Sequence, residues 1–342
     1  MDFVFILRPM PNSAVPLLRI ERGEVEEGIQ RGHLTAVDAS GTVVGSQGDP
    51  SRLTYFRSCA KPFQAIAALR TGIVEQFGLT DEHVAIMCAS HSGEPRHVAL
   101  VRDLLAHVAI DESALQCGAH WPYDEAAANV VRREMAEPLA VFNNCSGKHS
   151  GMLAAAHALQ APLASYLEPS HPVQRRIREV VEEFTGCTSA EAVYGIDGCS
   201  APNAAVPLSA MARSFAQLVT SDDAAARSAV EAMTTHPFLI GGTKRFDTAL
   251  MEVSDGRLLA KGGAAGAHCT ADRRSGVGLA LKLEDVDGTW VSSAVMAALT
   301  GLGWLTPAEQ RALERFANPT LRNHKGLEVG RVRPLIHLSK ST

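Results

Sequence analysis

The chain has 342 residues, 46% of them apolar, and a net charge of −5 with both signs scattered along it. That is ample for a real core, so disorder is not expected, and one large domain or two closely joined ones fit the length. With three Trp, four Tyr and no Lys/Arg block, the composition argues for no nucleic acid and no basic membrane-binding face, leaving a small neutral or zwitterionic ligand as the better match.

The early apolar run at residues 3–7 is too short for the core of a signal peptide and follows Asp2 instead of a basic stretch. No later segment approaches a membrane span. Seven cysteines, an odd number scattered from Cys59 to Cys269, do not make the paired framework of a small secreted domain. We therefore expect reduced thiols in a cytoplasmic protein.

Residues 33–39 and 42–44, joined by Ser40-Gly41, predict a hairpin, because a two-residue turn ending in glycine suits the positive φ such turns require. Ala- and Leu-rich amphipathic runs predict helices at 61–72, 94–107, 123–136, 151–159, 207–218 and 222–234. Pro62 fits the first turn of the first of these, where a missing N–H has no intrahelical partner. Ser221 is the expected N-cap of the last. Residues 249–253, a turn at Asp255-Gly256 and residues 257–261 predict a second hairpin, followed by a strand at 278–283. Thr306-Pro307-Ala308-Glu309 has the cap, first-turn proline and returning glutamate of a capping box. The expected fold class is α+β: an antiparallel sheet formed by both chain ends with a largely helical insertion between them. No linker or repeat divides it, so residues 1–336 read as one two-lobed domain and 337–342 as a tail.

Arg57-Ser58-Cys59-Ala60-Lys61-Pro62 places a hydroxyl and an amine three residues apart where a helix begins, hence on one face. Serine is a weak nucleophile until a neighbour takes its proton, and lysine can do so only when burial, a helix N-terminus or a second cation keeps part of it neutral. Alone, the pair reads as an ordinary N-cap serine and a surface lysine. Further polar, Gly-rich segments follow apolar runs at 89–94, 143–151 and 195–199, and Lys261-Gly262-Gly263 ends the late hairpin; such element ends are where sites are built. A strand-end Lys-Gly-Gly beside a Ser-x-x-Lys helix resembles the Lys-Thr-Gly strand of serine β-lactamases. Cys145 and Lys148 share a local face and Cys199 lies in another loop, but no Cys-x-x-Cys or His-x3-His spacing is present, so spacing alone indicates inert buried thiols. His91 and His149 either assist proton transfer or serve structural hydrogen bonds. Asp197 either binds a substrate ammonium or serves its turn.

Five segments in order, Arg57-Ser58-Cys59-Ala60-Lys61-Pro62, Ser90-His91-Ser92-Gly93, Asn143-Asn144-Cys145-Ser146-Gly147-Lys148-His149, Gly195-Ile196-Asp197-Gly198-Cys199-Ser200-Ala201-Pro202 and Lys261-Gly262-Gly263, carry a family resemblance. Across nearly its whole length the chain resembles the asparaginase II family of the Rhizobium etli inducible type. The resemblance implies a serine-β-lactamase and glutaminase-like fold, a homodimer, and hydrolysis of L-asparagine to L-aspartate and ammonia. Carried over by motif, Ser58 and Lys61 form one Ser-Lys pair with Ser58 as nucleophile, and Ser90 and Lys261 form a second. The resemblance further implies substrate contacts from Arg57, His149 and Asp197, and a zinc ion held by Cys145, Lys148 and Cys199. Three alternatives stay open: a glutaminase or other small-amide hydrolase of the Ser-x-x-Lys class, a penicillin-recognising enzyme, and a non-catalytic zinc- or amino-acid-binding protein.

Overall fold

The computed structural model describes residues 13–188 and 190–338. The apolar run at 3–7 and the last four residues of the expected tail lie outside them. Eleven strands are present among the described residues: β1 (Val15–Arg22), β2 (Val25–Val37), β3 (Val43–Gln47), β4 (Leu53–Tyr55), β5 (Val193–Ile196), β6 (Pro202–Pro207), β7 (Leu258–Gly262), β8 (Ala267–Asp272), β9 (Val277–Leu283), β10 (Thr320–Arg322) and β11 (Glu328–Pro334). The main sheet runs β10-β11-β1-β2-β9-β8-β7, with β3 also on β2, and every pairing in it is antiparallel. It is therefore built from both ends of the chain, as expected. The Ser40-Gly41 turn joins β2 to β3, with Gly41 at φ 97°.

Strand β8 is buried at every residue from Ala267 to Asp272, which requires cover on both sheet faces. The Leu208–Thr220 helix packs on β2, β8 and β9, while the Val291–Gly301 helix contacts β1, β8 and β11. A small second sheet, β4-β6-β5, links the main sheet to the helical lobe. Phe63 anchors the Lys61–Leu69 helix there, with ring centroids 5.8 Å from Phe56, 5.4 Å from Phe184 and 5.7 Å from Phe215. Such aromatic pairs add about 0.5–1.5 kcal/mol each beyond area burial, so this helix is seated firmly before any site chemistry is considered.

The late hairpin differs from expectation. Phe246–Val253 is a helix, and β7 pairs with β8 instead. Phe246, Ala249, Leu250 and Val253 recur at helical spacing, so the short apolar run satisfies a helix as well as a strand, and packing chose the helix. Ser221 is not the N-cap: Asp223 accepts from Ala225 N at 3.3 Å, and Ser221 Oγ accepts from Asp223 N at 3.2 Å. The 151–159 helix starts earlier, at Ser146. The Thr306–Glu309 capping box is present as read. Of residues 337–342, His337 and Leu338 are described; Leu338 is buried, and His337 N–H donates to Gln47 Oε1.

Candidate active site

Ser58 lies in a 3₁₀ turn, Arg57–Ala60, between β4 and the helix that Lys61 opens. The turn is fixed from three sides. Phe56 N–H donates to Ala204 O at 2.9 Å, Arg57 N–H to Asn203 Oδ1 at 3.2 Å, and the Cys59 thiol to Lys261 O at 3.0 Å. Arg57 holds a left-handed φ of 51°, a conformation that a non-glycine residue keeps only when its surroundings impose it. Gly263 lets the end of β7 pass close to this turn: an added Cβ would stand 3.1 Å from Phe56 O and 3.2 Å from Cys59 Sγ. Ser90 follows the Asp81–Met87 helix, and its N–H donates to Ile240 O at 2.9 Å. The scaffold thereby brings residues 58, 61, 90 and 261 into one buried region.

Ser90 sits between two lysines. Lys61 Nζ is 2.9 Å from Ser90 Oγ and Lys261 Nζ is 2.8 Å from it. Lys61 Nζ also donates to Ala89 O at 2.6 Å and Asn144 O at 3.1 Å, and Lys261 Nζ to Gly262 O at 2.8 Å. Three acceptors around Lys61 match the three hydrogens of an ammonium, whereas Lys261 has two partners and so room for a lone pair. Ser90 can donate its own hydrogen only to a neutral amine. Burial pushes both lysine pKa values down, with Lys148 adding to the effect on Lys61, and Lys261 reaches about 8. Among the described residues Ser58 Oγ has no hydrogen bond; the bonds of Lys61 run to Ser90 and two carbonyls.

Cys145, Lys148 and Cys199 meet although two separate segments supply them. Lys148 Nζ lies 2.8 Å from Cys199 Sγ, and all three side chains are buried. Asn143 builds the turn that presents Cys145: its Oδ1 accepts Cys145 N–H at 2.8 Å, and its Nδ2 donates to Cys117 O at 2.8 Å and Gly118 O at 3.0 Å. A hydrogen bond from Cys199 and the Lys61 and Lys148 ammoniums hold the Cys145 thiol well below its ordinary pKa. The same bond and burial push the Cys199 thiol up. Two sulfurs and the Lys148 nitrogen, once deprotonated, form a donor set that suits zinc. By contrast, the neighbouring ligand-type atoms of His83, Asp103 and His107 are already spent. His83 Nδ1 accepts Thr80 N–H at 3.0 Å, which leaves Nε2 to carry the proton it shares with Asp103 at 2.9 Å.

Arg57 Nε and Asp197 Oδ1 form an ion pair at 3.0 Å. His149 Nδ1 lies 2.6 Å from Tyr166 OH. His91 Nε2 bonds Ser146 Oγ at 2.9 Å and its Nδ1 accepts Gly93 N–H at 3.2 Å, so both ring nitrogens are occupied structurally. Sequence reasoning passed over Asn144, whose carbonyl receives Lys61, and Asp247, whose carboxylate receives Gly262 N–H at 2.6 Å. Asn144 lay inside a quoted segment, but Asp247 had no local signal.

Among the described residues no helix is long and apolar enough to cross a membrane, and all seven cysteines are free and buried. Comparison with curated protein sequences found no match. Among solved structures, a β-lactamase from Mycobacterium bovis is similar at 17% identity and a TM-score of 0.43, over 79% of this chain and 94% of that one. The family model for L-asparaginase II matches residues 18–334, nearly the whole chain and every site segment described above, and the protein belongs to the L-asparaginase II family.

Proposed function

We propose that this protein hydrolyses L-asparagine to L-aspartate and ammonia through a serine activated by buried lysine. The reading rests on family membership, which supports an asparaginase-type amidohydrolase, and on one geometric observation: Ser90 Oγ lies within 2.9 Å of both Lys61 and Lys261 beside the Ser58 turn. Burial without full pairing is what keeps a lysine neutral enough to act as a base.

Lys61 passes one proton through Ser90 to neutral Lys261 and so becomes a base. Ser58 Oγ then attacks the side-chain amide carbon as Lys61 accepts its proton, and backbone N–H groups near the helix start hold the developing oxyanion. Ammonia leaves with a proton returned from the lysine. Water then attacks the acyl-enzyme, with Ser90 and Lys261 relaying its proton. The Arg57–Asp197 pair supports a zwitterionic substrate, because an α-carboxylate and an α-ammonium can each replace one partner of that bridge. Cys145, Lys148 and Cys199 would hold the zinc, which would supply a Lewis acid when bound. Release of the protons on Lys148 and the cysteine pair couples zinc uptake to pH. Exposed Tyr55, Val193 and Ile196 support the expectation of a homodimer.

A second reading, with Ser90 as the nucleophile, is favoured by its two lysine bonds. The test is ammonia release from L-asparagine and L-glutamine, with and without added zinc, for wild type, Ser58→Ala and Ser90→Ala, with mass mapping of any trapped acyl group. Activity lost in Ser58→Ala while its fold persists, with the acyl group on the Ser58 peptide, is the expected result. An active Ser58→Ala with the acyl group on Ser90 transfers the role. Asparagine and glutamine differ by one methylene, about 1–3 kcal/mol of discrimination, so the two substrates are compared by kcat/KM. Zinc uptake with no amide hydrolysed would leave a binding protein.

A further inference from the structure

Behind Lys261 lies a buried carboxylate that this scheme does not use. Asp247 stands in the first turn of the Phe246–Val253 helix, where the helix N-terminus favours an anion. Its Oδ2 accepts the Gly262 N–H at 2.6 Å, and its Oδ1 lies 3.0 Å from His268 Nε2. His268 faces Gly262 across the β7–β8 ladder, so one carboxylate grips both strands at the point where Lys261 reaches Ser90. Thr270 Oγ1, 3.3 Å from His268 Nδ1, steadies the far side of the ring. An added Cβ on Gly262 would stand 3.2 Å from one Asp247 oxygen and 3.3 Å from the other, so the strand end is seated directly on the carboxylate.

A buried carboxylate without partners would be strongly unfavourable; this one has a backbone donor, an imidazole and the Lys261 side chain nearby. Burial alone would raise its pKa, but His268, Lys261 and the Gly262 N–H outweigh that and hold it below the usual carboxylate range. The titratable and charged groups facing Lys261 are Asp247, Lys61, Cys59, Arg245, Cys88 and Cys269, with His268 behind the carboxylate. Among them Asp247 is the carboxylate, and it opposes the push from Lys61 and Arg245.

We propose that Asp247 is a positioning residue of the reaction: its carboxylate seats the end of β7 through Gly262 and stabilises the ammonium that forms when Lys261 takes the Ser90 proton. In that exchange the Ser90 Oγ–H bond breaks as an Nζ–H bond forms on neutral Lys261, and the reverse step returns the proton. The inference rests on the proposed use of Ser90 and Lys261, and two readouts keep it separable from that reading.

The first readout is the pH dependence of kcat and kcat/KM for the full-length enzyme. In Asp247→Asn the rising limb moves to lower pH by about one unit or more, and the plateau kcat falls at least tenfold with KM little changed. In His268→Gln, which keeps the carboxylate and a donor to it, the limb stays at or above its wild-type position. A lower kcat with an unmoved limb in Asp247→Asn means a merely structural role and overturns the proposal. If that variant does not fold, Asp247→Glu, which keeps the charge, is read: a wild-type limb supports the proposal, and a limb one unit lower overturns it. The second readout needs no turnover. ¹⁵N NMR titration of Lys261 Nζ, assigned with Lys261→Arg, shows a lower pKa in Asp247→Asn if the proposal holds and the wild-type value if it does not. A shifted NMR titration in a protein that hydrolyses no amide refutes the hydrolase reading and leaves the Asp247–Lys261 coupling standing.

Discussion

Hydrogen-bond direction at single residues decides what His149 can offer. Gln116 N–H donates to Tyr166 OH at 2.9 Å, so the phenol's own hydrogen points to His149 Nδ1, 2.6 Å away. His149 therefore carries its proton on Nε2, and no described residue accepts it. Burial, reinforced by the Lys148 and Lys61 charges, keeps the ring neutral. A buried neutral donor beside Lys148 and Lys61 suits the substrate contact proposed for His149. Tyr166→Phe removes the hydrogen that fixes this tautomer and leaves two buried groups unpaired, at a cost of about 1–3 kcal/mol. Thermal melts should show the loss, and kinetics should show KM rising more than kcat falls. A Tyr166→Phe enzyme with unchanged melting and KM would remove His149 from the binding set.

At the level of elements, the sheet and its covering helices approach closely enough that single methyl groups matter. A Cβ on Gly278 in β9 would stand 2.0 Å from Ala212 O and 2.7 Å from Ala216 N, both backbone atoms of the Leu208–Thr220 helix. Neither can move without displacing the helix. Gly278→Ala should destabilise by about 1–3 kcal/mol or more. Gly28→Ala in β2 is the control, since its Cβ would meet Ile20 Cδ1 at 3.9 Å, ordinary contact. Urea melts of the two variants should differ clearly, and equal midpoints would show that the helix is not seated on β9 as described. The Phe246–Val253 segment belongs to the same scale: eight residues are too few for periodicity to separate helix from strand. Asp247 lies just ahead of the stretch expected as a strand, and its role depends on being in a helix's first turn.

The whole molecule carries buried neutral histidines, and their sum sets its response to acid. Burial, then the neighbouring His97 and Lys61 charges, holds His91 well below the ordinary histidine pKa; burial also lowers His97, which stacks on it at 5.3 Å. The sign follows from linkage. A base whose pKa is depressed in the folded state binds more protons when unfolded, so stability rises with pH across the window between the two values. Stability should therefore fall as pH drops from roughly 6.5, the unfolded histidine value. Carboxylates with lowered pKa, such as Asp247, add their loss only below about pH 4. Urea denaturation at several pH values between 7.5 and 5 separates the two, and a flat stability over that span would contradict the histidine account.

The sequence by itself determined whatever depends on neighbours along the chain. Pro62 marks a first helical turn, Thr306 and Glu309 make a capping box, Ser40-Gly41 closes a hairpin, and Ser58 and Lys61 share one turn, because each rests on a spacing of a few residues. Five ordered segments also sufficed for the family. Only the tertiary structure decided which side chains meet. Lys61 and Lys261 reach Ser90 from 29 and 171 residues away, Lys148 meets Cys199 across 51, and Asp247 finds Gly262 and His268 only after β7 pairs with β8. No spacing rule encodes such meetings, since they follow from strand register and helix packing summed over the whole core, and the hydrogen bonds and pKa shifts of the site exist only once those distant groups are buried together.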